Sequence, residues 1–241
     1  MSDPDLSVVI PAFNEVARLP RTLERVTAFL REGSRSYEVL VADDGSTDDT
    51  AQKARAAGAT VLRDDRNRGK GHAVRRGMLA ARGRRRLMTD ADLSTPIEEL
   101  PRFLARMDEG FDVVIGSRAL PGSTIEVHQP WFRENVGRVY NLFVRALALP
   151  GLRDTQCGFK LWSARAAREA FSAARLDGFS FDVEALYVAR KRGYRIAEIP
   201  VVWRNDAASR VGLGGGSRAF PDLLRIRWHD WKGRYDGGEA L

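Results

Sequence analysis

The alternation of short apolar runs with stretches of helical periodicity constrains the fold most strongly. Residues 6–10 form an apolar run that ends at Pro11, and residues 17–31 then place apolar side chains about 3.6 positions apart. The pattern continues with strands predicted at 37–42, 60–62, 86–89 and 112–115, and helices predicted at about 47–57, 71–81 and 97–109. Strands separated by single helices predict an α/β fold with a mostly parallel sheet flanked by helices.

The second half of the chain is richer in helix and lacks the regular alternation. Helices are predicted at 131–149, 181–192 and 220–231, with a polar turn at 154–160, a strand at 195–203 and a glycine-rich loop at 207–217. Because neither repeats nor an interdomain linker occur, the sequence predicts one domain over residues 1–241. Within it, residues 1–118 and residues 119–241 form two functional halves.

Composition and charge bound the class of protein. A hydrophobic fraction of 44% and a charged fraction of 29% are ordinary for a globular protein, which excludes wholesale disorder. The net charge of +7 favours an anionic partner, or merely reflects an arginine-rich composition. The single cysteine, Cys157, excludes an internal disulfide and a cysteine-based zinc site. With no signal peptide or membrane-spanning run, we expect a cytoplasmic protein, and any membrane contact is expected to be peripheral.

Polar clusters directly follow four of the predicted strands. They are Asn14-Glu15, Asp43-Asp44, Asp90-Asp92 and Arg118. In open parallel sheets, ligands bind at the carboxyl ends of the strands. The convergence of these clusters on one sheet edge therefore predicts a binding site there.

Asp90-Ala91-Asp92 is the cluster with the clearest chemistry. In extended backbone the two carboxylates point to the same side. Two hard oxygen ligands suit Mg²⁺ or Mn²⁺, which proteins usually bind together with substrate phosphates. The alternative is that an aspartate caps the helix that begins after Ser94-Thr95-Pro96.

Three further segments are candidates for ligand binding. Asp43 and Asp44 can accept hydrogen bonds from a nucleoside or can stabilise a turn, and Pro11 to Glu15 can meet a ligand or form a plain strand-to-helix turn. Lys70 lies in a glycine loop that opens a helix, which is suitable for a phosphate. The spacing of its glycines is not that of a P-loop.

Together these motifs resemble the family 2 glycosyltransferases of GT-A (Rossmann-like) fold, over nearly the whole chain. Residues 154–160, Asp-Thr-Gln-Cys-Gly-Phe-Lys, and residues 181–184, Phe-Asp-Val-Glu, are similar to those of enzymes that load dolichyl or polyprenyl phosphate with a hexose, the dolichyl-phosphate β-glucosyltransferases above all. The resemblance implies inverting transfer from a nucleotide-sugar, with UDP-glucose favoured and GDP-mannose second, to a polyprenyl phosphate. A soluble transferase with a hydroxyl acceptor is the alternative.

The resemblance also implies roles for individual residues. Asp92 would be the principal metal ligand, with Asp90 beside it. Arg204 and Arg210 would close over the diphosphate. The residues expected at the nucleotide-sugar are Pro11, Ala12, Phe13, Glu15, Asp43, Asp44, Lys70, Asp90, Ala91, Arg204 and Arg210.

The acceptor side depends on arginines if the acceptor is a phosphate, because the guanidinium group binds phosphate oxygens bidentately. Arg118, Arg133 and Arg138 are the candidates, and the alternative for the latter two is a solvated helix face. A hydroxyl acceptor would instead require a base, with Asp182 the leading candidate and Asp154 and Glu184 the others. Asp182 and Glu184 can equally anchor helix ends.

Two broader alternatives concern partners. Phe220, Leu223, Leu224, Trp228 and Trp231 form an apolar stripe bordered by cations, which fits either an interfacial helix or a helix packed on its own core. A nucleic-acid partner is disfavoured, because the sequence lacks recognition motifs and carboxylates lie where phosphates would bind. A nucleotide-sugar sensor without catalysis remains an alternative.

Overall fold

The computed structural model describes residues 3–127, 131–204 and 219–236, and it describes the backbone alone for residues 131–136 and 138. The strands are β1 (Leu6–Ala12), β2 (Tyr37–Asp43), β3 (Thr60–Arg63), β4 (Arg85–Met88), β5 (Val113–Ser117), β6 (Thr124–Val127), β7 (Lys160–Ser163), β8 (Ile196–Pro200) and β9 (Val202–Arg204). The helices are α1 (Leu19–Glu32), α2 (Thr50–Ala56), α3 (Lys70–Ala80), α4 (Leu100–Asp108, preceded by a 3₁₀ turn at Ile97–Glu99), α5 (Trp131–Leu147), α6 (Ala164–Ala173), α7 (Phe181–Lys191) and α8 (Ala219–Trp231).

Seven strands form one mixed, mostly parallel sheet in the order β3-β2-β1-β4-β7-β5-β8. β7 runs antiparallel to both of its neighbours, β4 and β5, and the other neighbouring pairs are parallel. A separate two-stranded parallel sheet joins β6 to β9. The predicted α/β class with a mostly parallel sheet flanked by helices is confirmed.

Helices cover both faces of the sheet, which explains why the central strands are apolar on both sides. All seven residues of β1 are buried. Val9 packs into the core beneath α3, α6 and α7, whereas Val8 and Ile10 pack into the core beneath α1 and α4. The continuous apolar run that predicted β1 is therefore the pattern of a strand with a core on each side.

The structure differs from the sequence prediction in the second half of the chain. The predicted strand at 195–203 is two strands, β8 and β9, which belong to different sheets. The predicted polar turn at 154–160 ends in β7, whose Lys160 is buried. β6 and α6 were not predicted; α6 is alanine-rich, begins after a Ser163 side chain that accepts a hydrogen bond from Ala166 N, and buries small residues against α3 and α7.

The carboxyl ends of β1, β2 and β4 lie side by side in the sheet, since β1 pairs with both β2 and β4. The predicted glycine-rich loop at 207–217 lies outside the described residues. Within the described ranges, no helix has the length and apolar character needed to cross a membrane.

Candidate active site

A cleft of about 300 Å³ opens at the carboxyl ends of β1, β2 and β4. Eight of the residues predicted at the nucleotide-sugar line it, together with the predicted metal ligand Asp92. The eight are Pro11, Ala12, Phe13, Glu15, Asp44, Lys70, Asp90 and Ala91. Arg18, Ala73 and Phe179 also line the cleft and were not predicted from the sequence. The fold therefore brings together segments that are distant in the sequence, from Pro11 to Phe179.

Asp90 and Asp92 form a compact acidic site at the end of β4. Lys70, at the start of α3, places its Nζ 2.6 Å from Asp90 Oδ1. Asp92 Oδ1 accepts a hydrogen bond of 2.9 Å from Ser94 N, and Leu93 between them has φ = 46°, an uncommon conformation for a residue with a side chain. This turn fixes the Asp92 carboxylate against the cleft.

The electrostatics of this cluster show two carboxylates and one cation. Burial raises the pKa of Asp92, and the neighbouring charge of Asp90 raises it further. Burial would lower the pKa of Lys70, but the carboxylates of Asp90, Asp182 and Asp92 outweigh it and raise that pKa. The cluster therefore carries an excess of negative charge that an additional cation would neutralise.

The donor set of the acidic site suits a hard divalent cation. Asp90 and Asp92 offer carboxylate oxygens, and the described residues contain no cluster of three potential metal-ligating side chains from histidine, cysteine, aspartate and glutamate. Mg²⁺ and Mn²⁺ accept such incomplete protein sites when substrate phosphates supply further oxygens. Asp90 and Asp92 thus fit the predicted metal, provided that substrate phosphates supply the remaining oxygen ligands.

Gly158, in the turn before β7, packs directly against the acidic site. A Cβ atom at this position would lie 2.0 Å from Asp90 Oδ2. Real Cβ contacts are never so short, and Asp90 is already held by Lys70, so any side chain here would displace the carboxylate. The close approach explains why a glycine stands in this motif.

Replacing Gly158 with alanine should therefore disable the site and leave the fold in place. Movement of Asp90 by about 1 Å is expected to lower activity about 100-fold, because catalytic groups tolerate little displacement. Steady-state kinetics and thermal unfolding would check this. Gly151→Ala is the matched control, since a Cβ there meets nothing within 4 Å, although its positive φ of 91° adds local strain. Full activity in Gly158→Ala would contradict the close approach.

Asp43 and Asp44 both have internal partners. Asp44 accepts hydrogen bonds from Arg68 N (2.7 Å) and Gly69 N (2.8 Å), which hold the loop that carries Lys70. Asp43 is fully buried; its Oδ1 accepts from Ser46 N at 3.0 Å and its Oδ2 lies 3.4 Å from Arg63 Nε. Asp44 lines the cleft, whereas Asp43 shapes the turn beneath it.

The segment after β1 is a tight turn joined to the end of β2. Asn14 has φ = 55°, its backbone N donates to Ser46 Oγ, and its side-chain oxygen accepts from Thr47 N. Glu15 forms two hydrogen bonds with Arg18, at 2.7 and 2.6 Å. Glu15 and Arg18 both line the cleft, so they present an ion pair to it and not an isolated carboxylate.

Arg118 is held by Asp154 in a bidentate pair. Arg118 Nε lies 2.7 Å from Asp154 Oδ2, Nη2 lies 2.9 Å from Oδ1, and the guanidinium carbon lies 5.4 Å from the centre of the Trp203 ring. Burial raises the pKa of Asp154, but the charge and hydrogen bonds of Arg118 prevail and hold it at about 2. Arg118 is thus held in place by the Asp154 carboxylate, and it is not among the residues that line the cleft.

The Arg118–Asp154 pair should make the free energy of unfolding decrease as the pH becomes acidic. The pKa of Asp154 is lower in the folded protein than its ordinary value of 3.8, so the stabilisation is complete above about pH 5 and is lost as the pH falls toward 2. The free energy of unfolding of wild type minus that of Asp154→Asn should fall by about 1 kcal/mol between pH 6 and pH 3. Urea unfolding at both pH values measures it. A difference that does not change with pH would contradict the depressed pKa.

Asp182 and Glu184, in the first turn of α7, have different surroundings. Lys160 Nζ donates to Asp182 Oδ1 at 2.6 Å; burial raises the pKa of Asp182, and the charges of Lys160 and Lys70 oppose this. Glu184 is fully buried and accepts from Arg175 N, Leu176 N and the Tyr235 hydroxyl. Glu184 therefore anchors the α6–α7 loop, while Asp182 lies close enough to the cleft to interact with Lys70.

Of the remaining predicted arginines, the structure describes the side chain of Arg204 alone. Arg204 forms an exposed ion pair with Glu126, and its backbone N donates to Ser94 O at 2.8 Å, so β9 ends beside the Asp92 turn. Arg133 and Arg138 belong to α5, but their side chains lie outside the described part of the structure, as does the whole of Arg210. Their roles stay predictions.

The sequence pattern of the family described as Glycosyl transferase family 2 matches residues 7–175, more than half of the chain. The chain belongs to this family. The transferase is 37% identical to dolichyl-phosphate beta-glucosyltransferase of Dictyostelium discoideum over 243 residues, covering 92% of this chain and 74% of the relative. It is a hexosyltransferase, and the predicted resemblance to the dolichyl-phosphate β-glucosyltransferases is confirmed.

Solved structures show the same fold at lower sequence identity. Mannosyl-3-phosphoglycerate synthase from Rubrobacter xylanophilus is 23% identical with a TM-score of 0.72, over 99% of the transferase and 78% of that chain. Glucosyl-3-phosphoglycerate synthase from Mycobacterium tuberculosis, solved with Mn²⁺ and UDP-glucose, is 23% identical with a TM-score of 0.68, over 93% of the transferase and 79% of that chain. The transferase therefore has the fold of GT-A glycosyl-phosphoglycerate synthases.

Proposed function

We propose that the transferase moves a hexose, with glucose favoured, from UDP-glucose to the phosphate of a polyprenyl or dolichyl lipid, with inversion at the transferred carbon. The observation that carries the proposal is the Lys70–Asp90–Asp92 cluster at the mouth of the cleft. The names of the relatives support the acceptor, since the relative from Dictyostelium is a dolichyl-phosphate beta-glucosyltransferase. A solved neighbour that holds UDP-glucose supports the donor.

The donor would lie in the cleft with its nucleoside between Phe13, Glu15 and Asp44 and its diphosphate toward Lys70. Phe13 is 41% exposed and offers an apolar surface to a base. The Lys70 ammonium is already paired with Asp90, so it adds positive charge without leaving an isolated buried cation. This arrangement matches the order of groups in a nucleotide-sugar.

Asp90 and Asp92 would hold Mg²⁺ or Mn²⁺ at the diphosphate. When bound, such a cation compensates the charge that develops on the leaving diphosphate. The protein's own contribution is to keep both carboxylates in place: Lys70 and Gly158 restrict Asp90, and Ser94 N restricts Asp92. A preorganised site of this kind costs no rearrangement when the bond breaks.

The acceptor phosphate would be bound from the side of Arg118. A phosphate monoester is anionic near neutral pH, so its oxygen can attack the sugar carbon without a general base. The bond from that carbon to the diphosphate oxygen breaks as the new bond to the acceptor oxygen forms, and the nucleoside diphosphate leaves. Arg118, oriented by Asp154, offsets the repulsion between the two phosphate groups.

Asp182 supports a second candidate function, transfer to a hydroxyl group. A buried carboxylate with a raised pKa beside the site is suited to accept a proton from an acceptor hydroxyl. Its ion pair with Lys160 opposes this role, because the charge of Lys160 stabilises the carboxylate and weakens it as a base. Transfer to a lipid phosphate therefore has the stronger support.

The proposal is tested by following radiolabelled hexose into the organic phase. Purified protein with Mn²⁺ or Mg²⁺ is incubated with labelled UDP-glucose or GDP-mannose and a short-chain polyprenyl phosphate, and the matched control is the corresponding polyprenol. We expect extractable label with UDP-glucose and the phosphate, and none with the alcohol. Label that passes instead to a soluble hydroxyl acceptor, or label from GDP-mannose alone, would contradict the proposed substrates.

A further inference from the structure

Helices α5 and α8 pack side by side and present a shared apolar face to the outside. The Phe220 ring contacts the edges of Tyr140 and Phe143, with ring centres 5.6 and 5.3 Å apart. Tyr140, Val144, Leu223 and Ile226 are buried on the inner sides of the two helices. The inner sides of the two helices therefore pack on the core through these residues, and the outward side chains do not belong to that core.

The outward side chains of these two helices are unusually large and apolar. Among the described residues, twelve large hydrophobic side chains are exposed, and four of them lie on each of the two helices. Leu142 is 62% exposed, Leu224 64% and Trp231 77%. The eight are Val139, Leu142, Phe143 and Leu147 on α5 and Phe220, Leu224, Trp228 and Trp231 on α8. Their spacings of three and four residues place those of each helix in one stripe.

Two cations lie beside the tryptophans of this α5–α8 face. Lys232 Nζ lies 4.7 Å from the Trp231 ring, and the guanidinium of Arg234 lies 4.6 Å from the Trp228 ring. The acidic residues of α8 are turned to protein partners, Asp222 to Arg225 at 3.0 Å and Asp230 to the Tyr187 hydroxyl at 2.5 Å. The α8 end of the face therefore offers cations beside its tryptophans, while Asp222, Asp230 and Asp236 are paired with other side chains of the protein.

We propose that the α5–α8 face docks on an anionic lipid bilayer. Tryptophan and leucine partition into the interface between headgroups and acyl chains, and the adjacent cations meet anionic headgroups. A second copy of the chain fits less well, because two faces with the same cationic rim would repel each other. Charge complementarity thus selects a negatively charged lipid surface as the occupant.

Electrostatic interactions connect the inner side of the α5–α8 face to the cleft. Tyr140 is buried beneath the face, and it lies near enough to Asp182 and Asp222 for their charges to act on it. Asp182 in turn interacts with Lys70 in the cleft. The purpose of docking rests on the proposed lipid-phosphate acceptor, which the transferase would meet at a lipid surface.

Vesicle flotation without any acceptor tests docking separately from turnover. The wild-type protein is mixed with vesicles of phosphatidylcholine alone, or of phosphatidylcholine with 30% phosphatidylglycerol. We expect it to bind the anionic vesicles at least about 10-fold more strongly, and to lose this preference in high salt. Leu224→Ser/Trp231→Ser should reduce partitioning about 10-fold or more, and Lys232→Glu/Arg234→Glu should remove the preference for anionic lipid.

Leu79→Ser is the matched control, since Leu79 is 40% exposed and belongs to α3, which is not one of the two helices of this face. Circular dichroism melting shows whether each variant is folded. Absence of wild-type binding to both vesicle types, or equal binding by Leu224→Ser/Trp231→Ser, would overturn the proposal. So would a wild-type dimer that the same double variant converts to a monomer. Protein that floats without glucosylating lipid would refute the proposed function alone; glucosylation in detergent without flotation would refute docking alone.

Discussion

Asp92→Asn is expected to lower the rate of hexose transfer on the order of 1000-fold while the fold stays intact. Asparagine keeps the side-chain oxygen that accepts the hydrogen bond from Ser94 N, so the turn around Leu93 should persist. It removes one of the two negative charges of the proposed cation site at Asp90 and Asp92. Initial rates at saturating donor, with thermal unfolding as the check on the fold, measure the effect.

Asp65→Asn provides the matched control for this change. The Asp65 side chain is 80% exposed, and it forms an ion pair with Arg68, whose Nη2 lies 3.8 Å from Asp65 Oδ1. The same chemical change there should leave the rate within about twofold of wild type, because an exposed charge pair contributes little. If Asp92→Asn retained most of the activity, the assignment of Asp92 to the metal and diphosphate would be wrong.

Arg118→Ala is expected to destabilise the protein by about 3 kcal/mol and to abolish transfer to a phosphate acceptor. The change leaves Asp154, whose side chain is 2% exposed, as a buried carboxylate without its cation. It also removes the guanidinium that we propose for the acceptor phosphate. Urea unfolding at pH 7 measures the first effect, and label transfer at a temperature well below the midpoint of unfolding measures the second.

Arg204→Ala separates this effect from the loss of any arginine ion pair. Arg204 and Glu126 form a pair whose side chains are 51% and 39% exposed, so its removal should change the free energy of unfolding far less than removal of Arg118 does. Equal losses of stability in Arg204→Ala and Arg118→Ala would mean that burial of Asp154 is not what gives the Arg118 pair its strength.

The sequence predicts the first half of the fold well for a physical reason. In β1 and β5 both faces are buried, so each strand is a continuous apolar run bounded by polar residues. In α1 the buried residues Leu19, Leu23, Val26 and Leu30 repeat at helical spacing. Local sequence and tertiary environment agree in these elements, and their bounds differ from the predictions by two residues or fewer.

The elements that were missed depend on contacts distant in sequence. β7 has four residues and begins with Lys160, which is buried only because Asp182 lies opposite. Its antiparallel direction follows from its place between β4 and β5, which local periodicity cannot reveal. α6 buries alanines, whose small side chains give a weak apolar signal. The formation of β7, its direction and the formation of α6 all depend on contacts with residues distant in the sequence.

The candidate site shows the same division. The strand-end rule predicted that Asp44, Asp90 and Asp92 would converge, and they line one cleft. The sequence could not reveal that Lys70 pairs with Asp90 or that Glu15 pairs with Arg18. Nor could it reveal that the Asp90 carboxylate occupies the space that a Cβ atom at position 158 would need. Each of these contacts joins elements whose relative positions are set by the packing or by a turn. The glycine in residues 154–160 was the available signal for the last one.

Calorimetric titration of UDP-glucose, with and without Mn²⁺, tests most directly the claim that this cleft holds the donor through Asp90 and Asp92. The wild-type protein should bind the donor at one site per chain, and Mn²⁺ should tighten binding at least about 10-fold. Asp92→Asn should lose that increase, while Asp65→Asn keeps it. Binding of UDP-glucose by Asp92→Asn that Mn²⁺ tightens as much as in wild type would contradict the account.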